Sequence, residues 1–256
     1  MSAARRTRGP RRAALFLNGD YADDPGFYRR LAGSADLVVA VDGGAERLAL
    51  FGVRPDVAVG DFDSLSAERL AELTAAGVRI VRHPVRKDQT DAELGVEEAL
   101  RAGAGCIDIA GALGGAFDHS LGSLALLRHL AGVGVVARLV EPALSVTVAV
   151  APRRLVLTAR PGSRFSCLPL TRRAVVSLAG VDYELDHTAL RADACRGVGN
   201  RVARAGAEVV VHAGAAVLSV EAVDFGGRSG DAGEPGTCGD DPRGMDGGRS
   251  AAEERQ

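Results

Sequence analysis

The chain has 256 residues, with 31 basic and 33 acidic side chains and a formal net charge of −2. A nucleic-acid binder would need a basic excess to neutralise phosphates, so this balance disfavours that class of protein. With 46% hydrophobic residues the chain can build a core, and its length fits one large domain or two small ones.

The two ends of the chain differ in composition from the rest. Residues 1–12 contain five arginines and no acid, and residues 226–256 are rich in glycine and acids with almost no apolar side chains. Such segments cannot bury enough apolar surface to offset the entropy of ordering, so we predict that both are disordered. A binding role for the acidic tail is the alternative.

The sequence predicts neither a membrane span nor a secretory signal. No stretch approaches the ~18 continuous apolar residues that a span requires, and the apolar run 13–17 is too short for a signal peptide. The four cysteines lack paired C-x-x-C spacing, which is typical of free thiols in a cytoplasmic protein. We expect Cys106 and Cys167 to lie in the core.

Residues 13–142 alternate short apolar runs with helix-like stretches. The predicted strands are 13–17, 37–41, 56–59, 78–82, 106–110 and 133–140, and the predicted helices are 25–33, 45–51, 66–76, 91–102 and 119–131. Strands that are apolar on both faces and separated by helices indicate a doubly wound, mostly parallel sheet. Thr90 and Glu93 form a capping-box pattern at the start of helix 91–102.

Residues 143–225 have a different pattern. Short, partly alternating Val/Leu-rich segments at 144–150, 154–159, 174–179, 208–212 and 215–222 are separated by glycine and proline. Because helical periodicity largely disappears, we predict a smaller all-β domain, an antiparallel sandwich or barrel, after the α/β domain. His212 to Ala215 is a candidate hairpin turn.

Four polar or glycine-rich clusters follow predicted strands of the first domain. They are Asp42-Gly43-Gly44, residues 60–64 (GDFDS), residues 87–91 (KDQTD) and residues 111–119 (GALGGAFDH). In a doubly wound sheet the carboxyl ends of the parallel strands share one edge, where such folds bind their ligands. The sequence therefore predicts one functional site along this edge.

Asp61 and Asp63 are candidate metal ligands. In an extended stretch, residues two apart point to the same side, where two carboxylates would repel each other without a cation between them. Mg²⁺ prefers oxygen ligands and commonly keeps phosphate oxygens in its shell. Ordinary turn chemistry is the alternative for both residues.

The cluster at 87–91 adds features that favour phosphate. Lys87, the only lysine of the chain, can act as a point charge on a phosphate. Thr90 and Asp91 open a helix, whose free N–H groups and dipole attract anions. Asp91 would then need a nearby cation, or it simply complements the helix dipole.

The glycine-rich turn at 111–115 allows close approach of the backbone to a ligand, although turn geometry alone could explain its glycines. His119 is a candidate base or phosphate donor, or a helix-capping residue. The chain lacks a G-x-x-x-x-G-K-[ST] loop, a G-x-G-x-x-G after the first strand, a G-x-S-x-G elbow and zinc-ligand spacing. These absences disfavour a P-loop kinase, a dinucleotide enzyme, an α/β-hydrolase and a zinc site.

The ordered set of four clusters resembles the thiamine pyrophosphokinase (thiamine diphosphokinase) family, from about residue 14 to about residue 222. The resemblance implies an α/β nucleotide-binding domain, a β-sandwich that helps to bind thiamine, and a homodimer. It also implies transfer of a pyrophosphoryl group from ATP to the hydroxyethyl oxygen of thiamine. The products would be AMP and thiamine diphosphate, and the reaction would use Mg²⁺.

The resemblance also implies roles for individual residues. Asp61, Asp63 and Asp91 would hold Mg²⁺, and Lys87 and Asp88 would complete the catalytic set. An acid of the Asp88/Asp91 pair would orient the attacking hydroxyl. The ATP and phosphate site would further include Asp42, Gly43, Gly44, Arg47, Ser64, Gln89, Thr90, Gly114, Gly115, Asp118 and His119.

Some positions depart from the family pattern and bear on the acceptor. Glu46 stands where many members have Asn, Ala116 where many have Arg, and Ser123 where a further Asn is common. Residues 197–201 (GVGNR) replace a common Ser-Asn-Glu. A different heterocyclic alcohol, such as a hydroxymethyl pterin, or a non-catalytic nucleotide or thiamine sensor are therefore alternatives. Tyr183 and Phe165 are the aromatic candidates for contact with a thiazolium cation.

Overall fold

The computed structural model describes residues 11–63, 65–84 and 88–221. Ser64, Lys87, Cys238 and the tail 226–256 lie outside the described residues. The helices are α1 (Pro25–Gly33), α2 (Gly44–Leu50), α3 (Ala67–Ala75), α4 (Asp91–Arg101) and α5 (Phe117–Gly132). The first six strands are β1 (Arg11–Phe16), β2 (Leu37–Val41), β3 (Val57–Gly60), β4 (Arg79–Arg82), β5 (Ala104–Ala110) and β6 (Val136–Glu141).

The first six strands form a parallel sheet in the order β4-β3-β2-β1-β5-β6. The chain builds this sheet outward from β1 in one direction as far as β4, and then continues from β5 on the other side of β1. The crevice between the carboxyl ends of β1 and β5 is therefore a topological switch point, where open α/β sheets bind ligands.

Helices cover both faces of this sheet. Leu94, Leu127 and Leu130 of α4 and α5 pack in one core with Leu15 and Ile107 of the sheet. Side chains of α1, α2 and α3 pack in a second core on the opposite face, including Tyr28, Leu48 and Leu73. Buried strands between two helical layers explain the continuous apolar runs of β2 and β3. The predicted doubly wound α/β arrangement is confirmed.

The remaining strands are β7 (Leu144–Val150), β8 (Arg153–Leu157), β9 (Arg164–Pro169), β10 (Arg173–Ala179), β11 (Leu185–Arg191), β12 (Asn200–Arg201), β13 (Ala207–Ala213) and β14 (Ala215–Val220). Strand β7 pairs antiparallel with β6, so β7, β14, β9 and β12 extend the parallel sheet to ten strands. A separate four-stranded sheet has the order β11-β10-β13-β8.

The four-stranded sheet packs on the antiparallel half of the large sheet, which gives the predicted β-sandwich. Its core contains Phe165, Cys167 and Leu218 from the large sheet and Val176 and Val209 from the small one. The division of the chain at 142/143 remains a prediction. The structure shows that the strands on either side of it belong to one continuous sheet.

Several elements differ from the predictions. Strand β1 begins at Arg11, inside the segment 1–12 predicted to be disordered, because the Arg12 guanidinium forms an ion pair of 2.5 Å with Asp108, which is fully buried. Strands β9, β11 and β12 were not predicted. Helix α5 begins at Phe117 rather than residue 119, and β6 begins at Val136 rather than residue 133.

Cys106 and Cys167 are buried, as predicted, and Cys195 is exposed; all three are free thiols. Burial raises the pKa of the Cys167 thiol to about 12, so this thiol is unreactive at neutral pH. Within the described residues, the helices are too short or too polar to cross a membrane.

Candidate active site

Three carboxylates converge at the carboxyl ends of β2 and β3. One oxygen from each of Asp42, Asp61 and Asp63 lies within 4.8 Å of the other two. Asp42 follows β2 directly, and its N–H donates to the carbonyl of Val59 in the neighbouring strand β3 (2.8 Å). The adjacency of β2 and β3 therefore brings Asp42 to the predicted Asp61/Asp63 pair.

Asp61 and Asp63 approach each other through a turn and not through the predicted extended stretch. Phe62, between them, has a φ of +60°, in the left-handed region that a bulky residue rarely adopts. The N–H of Asp63 donates to Oδ1 of Asp61 (3.1 Å), which closes the turn. Such backbone strain is common at functional sites.

Neighbouring groups hold this turn in place. Phe62 is 5% exposed, and the Arg82 guanidinium lies 5.4 Å from the centre of its ring. Arg82 also donates to the carbonyl of Asp61 (3.2 Å), and the N–H of His83 donates to the carbonyl of Gly60 (2.9 Å). The end of β4 thus supports the loop that carries both carboxylates.

Gly43 and Gly44 allow the loop after β2 to pack tightly against the end of β1. A Cβ on Gly44 would lie 1.9 Å from the carbonyl oxygen of Phe16, and a Cβ on Gly43 would lie 2.2 Å from Oδ1 of Asn18. Any other residue at position 44 would displace the end of β1, and any other residue at position 43 would displace the side chain of Asn18. Arg47, in α2, lies over the ring of Tyr21, 5.8 Å from its centre.

The cluster after β4 opens α4 as predicted. Thr90 caps the helix by accepting from the N–H of Glu93 (3.3 Å), and the Glu93 carboxylate accepts from the N–H of Thr90 (2.7 Å). Asp88 is exposed, and Gln89 donates to Glu97 of α4. This confirms the predicted capping box.

Asp91 is the first residue of α4, and it is not a member of the three-carboxylate group. Its assignment as a metal ligand therefore stays a prediction. Its position in the first turn of a helix also fits the alternative role of complementing the helix dipole.

The glycine-rich turn after β5 leads into α5. Gly114 and Gly115 have φ values of +88° and +62°, and both are exposed together with Asp118 and His119. Ala116 occupies the N-cap position of α5, and its side chain offers no hydrogen bond to the helix. His119 lies inside the first turn, and its N–H donates to Oδ1 of Asp118 (3.0 Å).

Two residues at this edge were not predicted. Asn18 and Asp20 follow β1; Asn18 packs against Gly43, and Oδ2 of Asp20 would lie 2.9 Å from a Cβ on Gly114. They therefore connect the loop after β2 with the glycine-rich turn across the switch point. Their position directly after the first strand, next to Gly19, was the sequence signal that could have identified them.

Of the two aromatic candidates for the acceptor, Tyr183 is exposed and Phe165 is not. Phe165 is 1% exposed in the sandwich core, so it presents no ring face to a ligand. Tyr183 is 74% exposed. Its N–H donates to Oδ1 of Asn200 (3.0 Å) and its carbonyl accepts from Nδ2 of Asn200 (3.0 Å), which fixes its backbone.

The departures at positions 46, 116 and 123 have different surroundings. Glu46 and Ala116 are exposed at the starts of α2 and α5, beside the candidate site. Ser123 is buried, and its hydroxyl donates to the carbonyl of His119 (3.0 Å). Ser123 therefore contributes to the helix itself and not to the exposed edge.

The chain matches known proteins over the part that holds this site. Residues 28–136 match the family model of the thiamin pyrophosphokinase catalytic domain. The thiamine pyrophosphokinase of Bacillus subtilis (strain 168) is 33% identical over 105 residues, which are 41% of this chain. The matched region spans about half (49%) of the length of that curated relative.

Solved structures extend the likeness over both halves of the chain. A thiamin pyrophosphokinase structure from Geobacillus thermodenitrificans is 26% identical, has a TM-score of 0.70, and covers 84% of this chain and 99% of its own. The thiamine pyrophosphokinase structure from Bacillus subtilis has a TM-score of 0.72 at 22% identity, covering 82% of this chain and 98% of its own; at this identity it shows the fold. Over residues 28–136 the chain is thus similar to the catalytic domain of thiamin pyrophosphokinases, and its fold is similar to theirs over most of its length.

Proposed function

We propose that the protein is a thiamine diphosphokinase, which transfers the pyrophosphoryl group of ATP to thiamine and forms thiamine diphosphate and AMP. The observation that carries the proposal is the catalytic-domain match over residues 28–136. This region includes the converging carboxylates Asp42, Asp61 and Asp63 and the glycine-rich turn. The name of the Bacillus subtilis relative supports the choice of thiamine as the acceptor.

The carboxylate group fits the Mg²⁺ that the family implies. Asp42, Asp61 and Asp63 offer only oxygen donors, which a hard cation such as Mg²⁺ prefers over softer ions that favour sulfur and imidazole. These three residues would hold the ion. Bound there, Mg²⁺ would neutralise phosphate charge and thereby lower the barrier to transfer.

The remaining predicted residues would complete the site. The open N-terminus of α5, reached through Gly114 and Gly115, presents backbone N–H groups that suit a phosphate oxygen. Lys87 would add a point charge there. Asp88 or Asp91 would accept a hydrogen bond from the attacking hydroxyl and orient it. Transfer of this kind depends on in-line positioning and charge neutralisation more than on covalent chemistry.

Two further properties belong to the same proposal. We expect the chain to form a homodimer in which the sandwich contributes to the acceptor pocket. Light scattering should then give twice the monomer mass of 26.4 kDa. A cytoplasmic location is consistent with cysteines that carry free thiols.

The direct test is to incubate the purified full-length chain with ATP, Mg²⁺ and thiamine. We expect AMP and thiamine diphosphate in equal amounts, measured by chromatography and by fluorescence of the oxidised thiamine product. AMP release only with another heterocyclic alcohol, such as a hydroxymethyl pterin, would shift the assignment to that acceptor. Calorimetric binding of the nucleotide or thiamine without turnover would indicate a sensing module.

A further inference from the structure

Glu141 links two loops of the candidate site. It is the last residue of β6, on the same sheet edge as the ends of β1 and β5. Its Oε1 accepts from the N–H of Gly111 (2.9 Å), the first residue after β5. Its Oε2 accepts from the hydroxyl of Tyr28 in α1 (2.5 Å).

Tyr28 links Glu141 to the loop after β1 by hydrogen bonds. Its oxygen accepts from the N–H of Ala22 (3.0 Å) while its hydrogen goes to Glu141. The Tyr28 side chain is fully buried, and the rings of Tyr21, Phe27 and Phe51 have centres 4.7–5.1 Å from its own. This packing leaves Tyr28 little freedom to move. Glu141 therefore holds residue 111 directly and residue 22 through a rigid side chain.

The two loops that Glu141 holds touch each other across the switch point. A Cβ on Gly19 would lie 2.0 Å from the carbonyl oxygen of Gly111, and a Cβ on Gly111 would lie 2.5 Å from the hydroxyl oxygen of Tyr21. The hydroxyl of Tyr21 donates to the carbonyl of Leu17 at the start of the same loop (2.6 Å). Because the contact has no spare space, the position of one loop fixes the position of the other.

Glu141 makes these contacts without a counter-ion. Across residues 11–63, 65–84 and 88–221, no basic side chain forms an ion pair with Glu141, and its partners are a neutral amide and a neutral hydroxyl. Burial raises the pKa of Glu141, although its two hydrogen bonds act in the opposite direction. Burying part of a carboxylate without a counter-ion costs free energy, which the two hydrogen bonds of Glu141 offset only in part.

We propose that Glu141 is a positioning residue for the pyrophosphoryl transfer, which fixes the loop after β1 (residues 17–22) against the turn after β5 (residues 111–115). The inference rests on the proposed function. The held turn leads directly into α5, with Asp118 and His119 in its first turn, and Asp20 of the held loop lies against Gly114. A displacement of about 1 Å in such a site lowers turnover on the order of 10²-fold.

The test compares three substitutions in the full-length chain. Glu141→Ala removes both hydrogen bonds, and kcat should fall on the order of 10²-fold while KM for ATP changes less than roughly threefold. Glu141→Gln keeps one acceptor oxygen, and Tyr28→Phe keeps the bond to Gly111; both should give intermediate values of kcat. Hydrogen exchange of the peptide that contains Gly111 should accelerate in the same order.

Glu98→Gln is the matched control. Glu98 of α4 is a buried acid (4% exposed), bonded to Arg79 of β4 and Arg101 of α4, away from both loops. The Glu98→Gln substitution should lower the melting temperature and leave kcat unchanged. Wild-type kcat in the Glu141 and Tyr28 variants, or an equal loss of kcat in Glu98→Gln, would overturn the inference.

The outcomes also separate this inference from the proposed function. A wild-type chain without thiamine diphosphokinase turnover would overturn the proposed function and this inference together. An active wild type with unchanged Glu141 variants would overturn this inference alone. If Glu141→Ala does not fold, Glu141→Gln and Tyr28→Phe carry the comparison. Glu141→Gln replaces one acceptor oxygen, and Tyr28→Phe removes the hydroxyl that donates to Glu141 and accepts from Ala22 but keeps the bond between Glu141 and Gly111.

Discussion

At the scale of single residues, Asp42 shows how a loop position becomes a possible metal ligand. Its φ is +50°, a conformation that aspartate tolerates better than most residues. A Cβ on the neighbouring Gly60 would lie 3.2 Å from Oδ1 of Asp42, so the side chain sits directly against the start of the Asp61 loop. The backbone conformation therefore directs this carboxylate to the other two.

Asp42→Asn and Asp61→Asn should each raise the Mg²⁺ concentration needed for half-maximal activity, by about tenfold or more, because each removes a charged oxygen donor. Titration of initial rates with Mg²⁺ measures this shift. Glu68→Gln removes an equal charge from an exposed position in α3 and should leave the titration unchanged.

The same titration tests Asp91. Asp91 is the first residue of α4 and lies outside the three-carboxylate group. We therefore expect Asp91→Asn to lower kcat and to change the Mg²⁺ requirement little. A shift as large as that of Asp61→Asn would instead assign Asp91 as a ligand. An unchanged requirement in the Asp42 and Asp61 variants would contradict the proposed Mg²⁺ site.

Glu141 also predicts a pH dependence of stability. Because burial raises its pKa in the folded state, the folded chain takes up this proton more readily than the unfolded chain does. The carboxyl therefore contributes most to stability below its unfolded pKa of about 4.5, and that contribution is lost as pH rises through the higher folded value.

Glu141→Gln cannot titrate, so it is the reference for this effect. The free energy of unfolding of the wild type, relative to Glu141→Gln, should decrease as the pH rises from about 4 and become constant above the raised pKa. Urea denaturation at several pH values measures the difference. A difference that is constant throughout, or that grows with pH, would contradict the assignment.

At the scale of elements, the site depends on where helices and strands begin and end. The capping box places the first turn of α4 directly after residues 87–90, and the side chain of Thr90 satisfies the N–H of Glu93. The start of this helix is therefore fixed by local chemistry that the sequence displays. This is why its first residue could be predicted correctly.

Thr90→Ala should lower the free energy of unfolding by about 1 kcal/mol because it removes the N-cap hydrogen bond. Thr74→Ala is the matched control: Thr74 lies in α3, is exposed, and its hydroxyl bonds the carbonyl of Leu70 within the helix. Alanine is the better helix former there, so the change should be close to zero or slightly stabilising. An equal loss of unfolding free energy in both variants would contradict the capping role of Thr90.

Elements whose sequence pattern reflects their own burial could be predicted, and elements that depend on distant partners could not. Strand β2 is buried throughout, and its run of apolar residues predicted its bounds. Strand β11 is largely exposed and carries Asp186 and His187 at a register irregularity opposite β10, so it shows no clear alternation. Strand β12 has only two residues, which is too short for any periodicity.

In the candidate site, too, some features could be predicted from the local sequence and others depend on distant partners. The polar clusters could be predicted because each follows its own strand directly. The participation of Asp42 in the carboxylate group depends on the pairing of β2 with β3 and on a positive φ. The contact between Asp20 and Gly114 depends on the pairing of β1 with β5. Neither pairing can be read from residues that are near each other in sequence.

At the scale of the whole molecule, one sheet joins the two halves of the chain. Strand β7 pairs with β6 through four residue pairs, and the Thr147 hydroxyl donates to the carbonyl of Ala137 (2.8 Å). Val146 and Val148 of β7 belong to the same core as Leu127 of α5. The first core therefore extends past residue 142, so neither half can lose its structure without exposing part of the other.

We therefore predict that both halves unfold in a single transition. Hydrogen exchange in increasing urea, followed by mass spectrometry, should give the same free energy of opening for β1 and for β10 at their slowest-exchanging sites. Val146→Ala, at the junction and 6% exposed, should lower both values together by about 2 kcal/mol. Val156→Ala on β8, 44% exposed, should change neither by more than about 0.5 kcal/mol. Separate transitions for β1 and β10, or a loss confined to one half in Val146→Ala, would show that the halves are independent despite their shared sheet.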